Sequence, residues 1–128
     1  MDGTQREKYL RIALVLVGLL FIFGLYPLIS QWQSGWRWQP VQYEFEFMML
    51  GVYGTLGVFL LIASRNPKSH KSLIWFTVWS SIVHGAIMGV EAVIDPVERG
   101  HLAGDVPALF LIAIVLALLM PRGTKAET

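Results

Sequence analysis

The chain has 128 residues, 55% of them hydrophobic and 15% charged, with a mean hydropathy of +0.56. Soluble domains carry about 25% charged residues, so this composition excludes a soluble globular enzyme, a disordered tail and a nucleic-acid module. The net charge is only +1, and the absence of cysteine removes disulfides, thiolate metal sites and cysteine nucleophiles.

A membrane-crossing helix needs about 20 mostly apolar residues, and four such blocks fill most of the chain. They predict an all-α integral membrane protein, a four-helix bundle forming one domain over residues 1–128, with spans near 10–30, 44–64, 67–94 and 102–120. The first apolar block, Ile12 to Ile29, follows Arg6, Lys8 and Arg11 and carries Pro27 near its far end. It is longer than a signal-peptide core and has Leu28 at position −3 of the candidate cleavage site, where a small residue is wanted. A retained span is therefore expected.

The loop 31–43 holds Trp32, Trp36, Trp38 and Tyr43, residues that favour the headgroup level of a bilayer. They read as interfacial anchors, or with Trp36 and Trp38 as the aromatic wall of a binding site. In the second block, Glu44 to Ser64, Gly51, Gly54 and Gly57 recur as an expected helix-packing face. Asn66-Pro67 then resembles an N-cap followed by the first helical position.

From Pro67 to Ile94 the third helix is about 42 Å long, more than a bilayer core of about 30 Å. Its basic start, Lys68 and Lys71, is expected in water or headgroups, and Gly85 and Gly89 form a GxxxG step. Asp95-Pro96 breaks the chain. In the fourth block Asp105 and Pro107 resemble an N-cap and first turn. From Val106 to Met120 that helix is only about 22 Å long, so its start is expected nearer Leu102, or the bilayer must thin.

Positive charge near the spans sets orientation. In a four-span layout eight basic residues (Arg6, Lys8, Arg11, Arg65, Lys68, Lys71, Arg122 and Lys125) share one side and only Arg37 and Arg99 take the other. This predicts both termini in the cytoplasm. Acidic residues are distributed the opposite way. Asp2, Glu7 and Glu127 lie with the termini, whereas Glu44, Glu46, Glu91, Asp95, Glu98 and Asp105 lie at the outer end.

Thr77, Ser81, His84, Met88, Glu91 and Asp95 are spaced 4, 3, 4, 3 and 4 apart along the third helix. Such spacing stacks side chains on one face, and all but Met88 are polar. Ionisable groups inside spans usually face the bundle interior or a wet cavity. The stripe therefore suggests a funnel entered past Asp95 and Glu91 and ending near His84. Glu44 lies on the side of Gly51 and Thr55, and Glu46 on the side of Tyr53 and Gly57, so at most one points straight in. Asp105 reaches the funnel from the fourth helix. The alternative is that His84, Ser81 and Thr77 serve as polar glue between helices.

The candidate ligand-binding residues are thus His84, Glu91, Glu46, Glu44, Asp95, Asp105, Trp36 and Trp38, with no catalytic residue and no metal site assigned. No cofactor is expected: a bis-His haem needs two axial ligands, and His84 is the one histidine within a span. His101, Asp95, Glu98 and Asp105 can gather at the outer surface, but their spacing matches no zinc motif. Ser80 and Ser81 lie near His84 without a nucleophile elbow. The expected partners are the bilayer and, through Gly51, Gly54, Gly57, Gly85 and Gly89, a second copy or a larger membrane complex. Nucleic acid is not expected.

The stretches REKYLRIALVLVGLLFIFGLYPL, ASRNPKSHKSLIWFTVWSSIVHGAIM and ERGHLAGDVPAL resemble small bacterial four-helix inner-membrane proteins of unknown function. Their general look is similar to the BphX-like and DoxX-like families, from about Arg6 to Arg122. The resemblance implies a fold and the bacterial inner membrane, and no residue roles. Three functions follow for testing. One is a small-molecule or lipid-binding or accessory subunit with an outward-facing polar pocket. The others are a membrane enzyme using His84 and Glu91 as an acid–base pair on a lipophilic substrate, and a proton- or ion-conducting oligomer.

Overall fold

Asp2 starts the first helix. Its carboxylate accepts from the Gln5 backbone N–H at 2.8 Å, and the Gln5 side-chain oxygen accepts from the Asp2 N–H at 3.4 Å. This reciprocal capping box moves the helix start to Gly3, about two turns ahead of the expected residue 10. The computed structural model describes residues 2–121. Arg122, Lys125 and Glu127, counted above in the charge asymmetry, lie outside the described residues.

Among the described residues every regular element is helical. Four helices are long and apolar enough to cross a membrane: Gly3–Gln31, Tyr43–Ala63, Pro67–Ile94 and Pro96–Leu119. The first span changes geometry at Leu20–Gly24, a π turn in which the Leu25 N–H bonds the Leu20 carbonyl. Pro27 has no N–H to offer the Phe23 carbonyl and its ring crowds the turn before it. The wider turn absorbs that mismatch. The Trp-rich loop holds a single helical turn, Gln33–Trp36.

The third span opens with a 3-10 turn over Pro67–His70. Asn66 does not cap it; its side-chain amide donates to Ser69 Oγ at 2.7 Å. The fourth span is α-helical only from Asp105, after a 3-10 segment over Pro96–Ala103. Asp105 is its first helical residue rather than its cap, because the carboxylate is drawn to Trp38 and His101.

The first span packs against both the second and the fourth, and the third packs against the fourth. The second and third meet only along a short seam. Glycine sets two of these contacts. A Cβ on Gly57 would sit 2.6 Å from the Gly18 carbonyl oxygen, so the first and second spans meet backbone to backbone. A Cβ on Gly85 would sit 3.2 Å from the Phe110 ring, and one on Gly89 would lie 3.6 Å from Val106. The GxxxG step therefore receives the fourth span. Gly51 and Gly54 have open space around them within the chain, so of the three only Gly57 packs against another span of the same molecule. Residues three apart turn about 300° around a helix, so a run of such steps drifts off one face.

The start of the first span and the end of the fourth lie at the same end of the molecule. The Arg6 guanidinium donates to the Leu118 carbonyl, and Arg11 Nη1 donates to the Arg65 carbonyl at 2.7 Å. This terminal end is filled by a continuous apolar core in which Leu10, Leu14, Leu60, Ile74 and Leu116 are fully buried. The outward faces carry Phe23, Val52, Phe76 and Ile94, all exposed. Apolar residues on every face suit helices immersed in lipid.

Candidate functional site

At the opposite end, where the Trp-rich loop meets the 3-10 segment, the core gives way to a cavity of about 370 Å³. Its size falls in the range of small-molecule sites. The π turn of the first span brings Phe21 and Leu25 into its wall, and the second span adds Glu46, Met49 and Tyr53. His84, Met88 and Glu91 line it from the polar stripe of the third span. Asp105 and Ala108 come from the fourth, and Trp36 and Trp38 cover it from the loop.

The stripe divides along its length. Thr77, Ser81 and Met88 are buried, His84 is half-buried, and Glu91 and Asp95 are exposed. Thr77 turns its hydroxyl back to the Leu73 carbonyl at 3.0 Å, so this part of the stripe is a satisfied core group. Asp95 does not line the cavity. It caps the 3-10 segment by accepting from the Val97 N–H at 3.0 Å. Of the two acids entering the second span, Glu46 lines the cavity with Tyr53, while Glu44 is exposed and lies away from it. The two-residue spacing requires such a separation. The structure thus brings together His84, Glu91, Glu46, Asp105, Trp36 and Trp38 and leaves out Glu44 and Asp95.

Across the seam, the Tyr53 hydroxyl is hydrogen-bonded to Nδ1 of His84 at 2.5 Å, and the two rings stack with centroids 5.9 Å apart. Tyr53 also takes the Phe21 ring edge-on at 5.0 Å. A second cavity of about 350 Å³ shares Tyr53 and His84 with the first, and its wall comes from the second and third spans alone. Val52, Met48 and Phe76 in that wall are more than half exposed, on the outward face of the spans. The Tyr53–His84 pair therefore stands between the inner cavity and the bilayer side of the seam.

Behind the cavity wall lies a buried charged network; the sequence indicated that Glu98, His101 and Asp105 can gather, but not that Arg37 joins them or that the group is buried. His101 is 1% exposed, Glu98 3%, Asp105 6% and Arg37 8%. His101 Nδ1 lies 2.9 Å from Asp105 Oδ1, and its Nε2 lies 3.1 Å from the Arg37 carbonyl. A carbonyl oxygen can only accept, so Nε2 carries a hydrogen. Glu98 Oε2 is also 3.0 Å from Nε2, but it sits outside hydrogen-bond geometry and has no hydrogen-bond partner. The other oxygen, Oε1, accepts from the Gln39 N–H at 2.8 Å. Trp38 stacks on the His101 ring at 4.0 Å and donates its indole N–H to Asp105 Oδ2 at 3.2 Å. Arg37 holds Glu46 through two bonds, Nε to Oε2 at 2.8 Å and Nη2 to Oε1 at 3.1 Å.

Glycine makes this assembly possible. A Cβ on Gly100 would collide with the Ser34 carbonyl, and one on Gly104 with the Gly35 carbonyl. The loop turn can therefore lie directly on the 3-10 segment and deliver the Arg37 carbonyl to His101. The spacing of three from Glu98 to His101 and four from His101 to Asp105 was a signal in the sequence. The Asp95-Pro96 break and the short polar stretch after it did not reveal that these side chains would be buried together. Glu98, His101 and Asp105 do gather, but among the described residues no group of three His, Asp or Glu has metal-binding geometry.

The family model described as DUF6632, a family of unknown function, matches residues 4–127. The match does not name the BphX-like or DoxX-like families. No curated protein and no solved structure matches the chain.

Proposed function

The chain belongs to the DUF6632 family, whose function is unknown, and from the geometry of its loop end we propose that it binds a small amphipathic molecule within the membrane. The observation that carries this is a cavity with a mostly apolar and aromatic wall, a few polar groups among its lining, and a neighbouring seam between the second and third spans. Binding sites for small molecules are mostly apolar with a few placed polar groups. Trp36 adds a second support: its indole Nε1 is buried in the cavity wall without a protein acceptor. Such a donor is costly unless a ligand or water meets it.

The eight-to-two distribution of basic residues supports a cytoplasmic location for both termini and an outward-facing cavity. On that reading the protein is a single-domain, multi-pass component of a bacterial inner membrane. Gly57, Gly85 and Gly89 are used within the chain, so Gly51 and Gly54 are the glycines left for a neighbouring helix or a second copy.

Filling the cavity tests the proposal. Ala108→Trp and, independently, Leu50→Trp place an indole into the space. Native mass spectrometry of protein extracted in mild detergent is expected to show a copurifying small molecule on the unmodified chain. The adduct is lost in both variants while each retains a cooperative melt. Equal occupancy in the unmodified chain and both variants would overturn the proposal.

A further inference from the structure

Resting on the binding reading above, we propose that the cavity selects an organic cation, an amphipathic molecule with an apolar body and a positively charged head. Glu46, Glu91 and Asp105 line the cavity, and among the described residues no Lys or Arg does. Two of these acids have a partner behind the wall: Arg37 grips Glu46 through two bonds, and His101 meets Asp105. Glu91 has none; its carboxylate makes no hydrogen bond or ion pair among the described residues. Its carboxylate is the charge left facing the space.

The wall suits a cation in a second, independent way. Phe21, Trp36, Trp38, Phe45 and Tyr53 all contribute to it. Aromatic faces attract cations through their quadrupoles, and the attraction is larger where water is displaced. The surroundings add a field of the same sign. Six acids and two arginines belong to the loop end, and a surface of one prevailing charge raises the local concentration of the opposite ion. An anionic head would instead meet Glu91 with no lining cation to offset it. The seam beside Tyr53 and His84 gives the apolar body a route from the bilayer.

The test uses two nearly isosteric ions of opposite charge, tetraphenylphosphonium and tetraphenylborate. Binding is measured by equilibrium dialysis on the full chain in nanodiscs, with uptake by empty nanodiscs subtracted. The phosphonium is expected to bind at least about tenfold more tightly than the borate, and Glu91→Gln to weaken it by about tenfold. That is a conservative loss for removing one charge near a bound cation in a partly screened site. Glu91 is exposed, so this variant is expected to fold. Ala108→Trp abolishes the binding. If both ions bind equally and both are lost in Ala108→Trp, the cavity stands and cation selection falls. A preference for the borate, or no binding of either ion, also overturns cation selection. Phosphonium binding that survives Ala108→Trp overturns the cavity reading itself.

Discussion

The two ends of this molecule are built from the same four helices by opposite means. At the terminal end, leucine and isoleucine from the four spans close on one another, with Leu14, Leu60, Ile74 and Leu116 fully buried. At the loop end, where the cavity lies, the buried residues include Arg37, Glu98, His101 and Asp105. Lipid is as apolar as leucine, so burial against lipid or against a helix differs little in hydrophobic free energy. The terminal end is held by close packing. The loop end is held by polar groups that must find one another once they are out of water. Apolar packing closes space, whereas a directed network can span it and leave a cavity beneath.

The largest break in this contrast is expected from His101→Ala. It leaves Asp105 and Glu98 buried without their imidazole and Trp38 without its stacking partner. Removing one member of a buried charged group typically costs about 3–5 kcal/mol, and thermal unfolding in detergent measures it. A loss below about 1 kcal/mol, the scale of a surface ion pair, would mean that the network does not hold the loop end together.

The terminal half is broken through packing. Gly57→Ala puts a methyl 2.6 Å from the Gly18 carbonyl oxygen and forces the first and second spans apart. Overpacking of this kind costs about 1–3 kcal/mol. Gly54→Ala, one turn away in open space, is expected to be neutral or to stabilise by a few tenths up to about 1 kcal/mol through helix propensity. If the two variants melt alike, the close approach of the spans is wrong.

These glycines also show how far the sequence could be read. Apolar block length revealed the four spanning helices, and the 4-3-4 spacing placed His84 and Glu91 on a common face. Both signals are local and periodic. Of the glycine triplet only Gly57 meets another span within the chain, because three-residue spacing drifts around the helix. The network was hidden for a different reason. The bonds that tie it to the loop join residues 59, 64 and 67 positions apart, and no local pattern encodes a pairing of that range, whereas the His101–Asp105 contact spans only four residues. Glu46 over Glu44 was left open by the sequence, because it depends on which face of the second span the π turn and Tyr53 turn toward.

The smallest expected effect concerns the seam between the halves. Tyr53→Phe removes the hydroxyl that bonds His84 Nδ1 and keeps the ring against Phe21. A single neutral hydrogen bond is worth about 1 kcal/mol, so the melting temperature falls slightly. Exchange of ligand across the seam is expected to quicken. Stopped-flow fluorescence of the cavity tryptophans during phosphonium release reads that rate; an unchanged or slower rate would remove Tyr53 from the path.

The central claim is that the loop end is open inside while the terminal end is closed. The chain has no cysteine, so single thiols can report on it without background. Ala108→Cys places a thiol in the cavity wall, and Ala113→Cys places one in the apolar core, where the alanine is 1% exposed. N-Ethylmaleimide labelling of both variants in membranes is the direct measurement. Ala108→Cys is expected to be labelled and to be protected by tetraphenylphosphonium, and Ala113→Cys to stay unlabelled. Equal labelling at the two positions, or none at Ala108→Cys, would contradict the central claim.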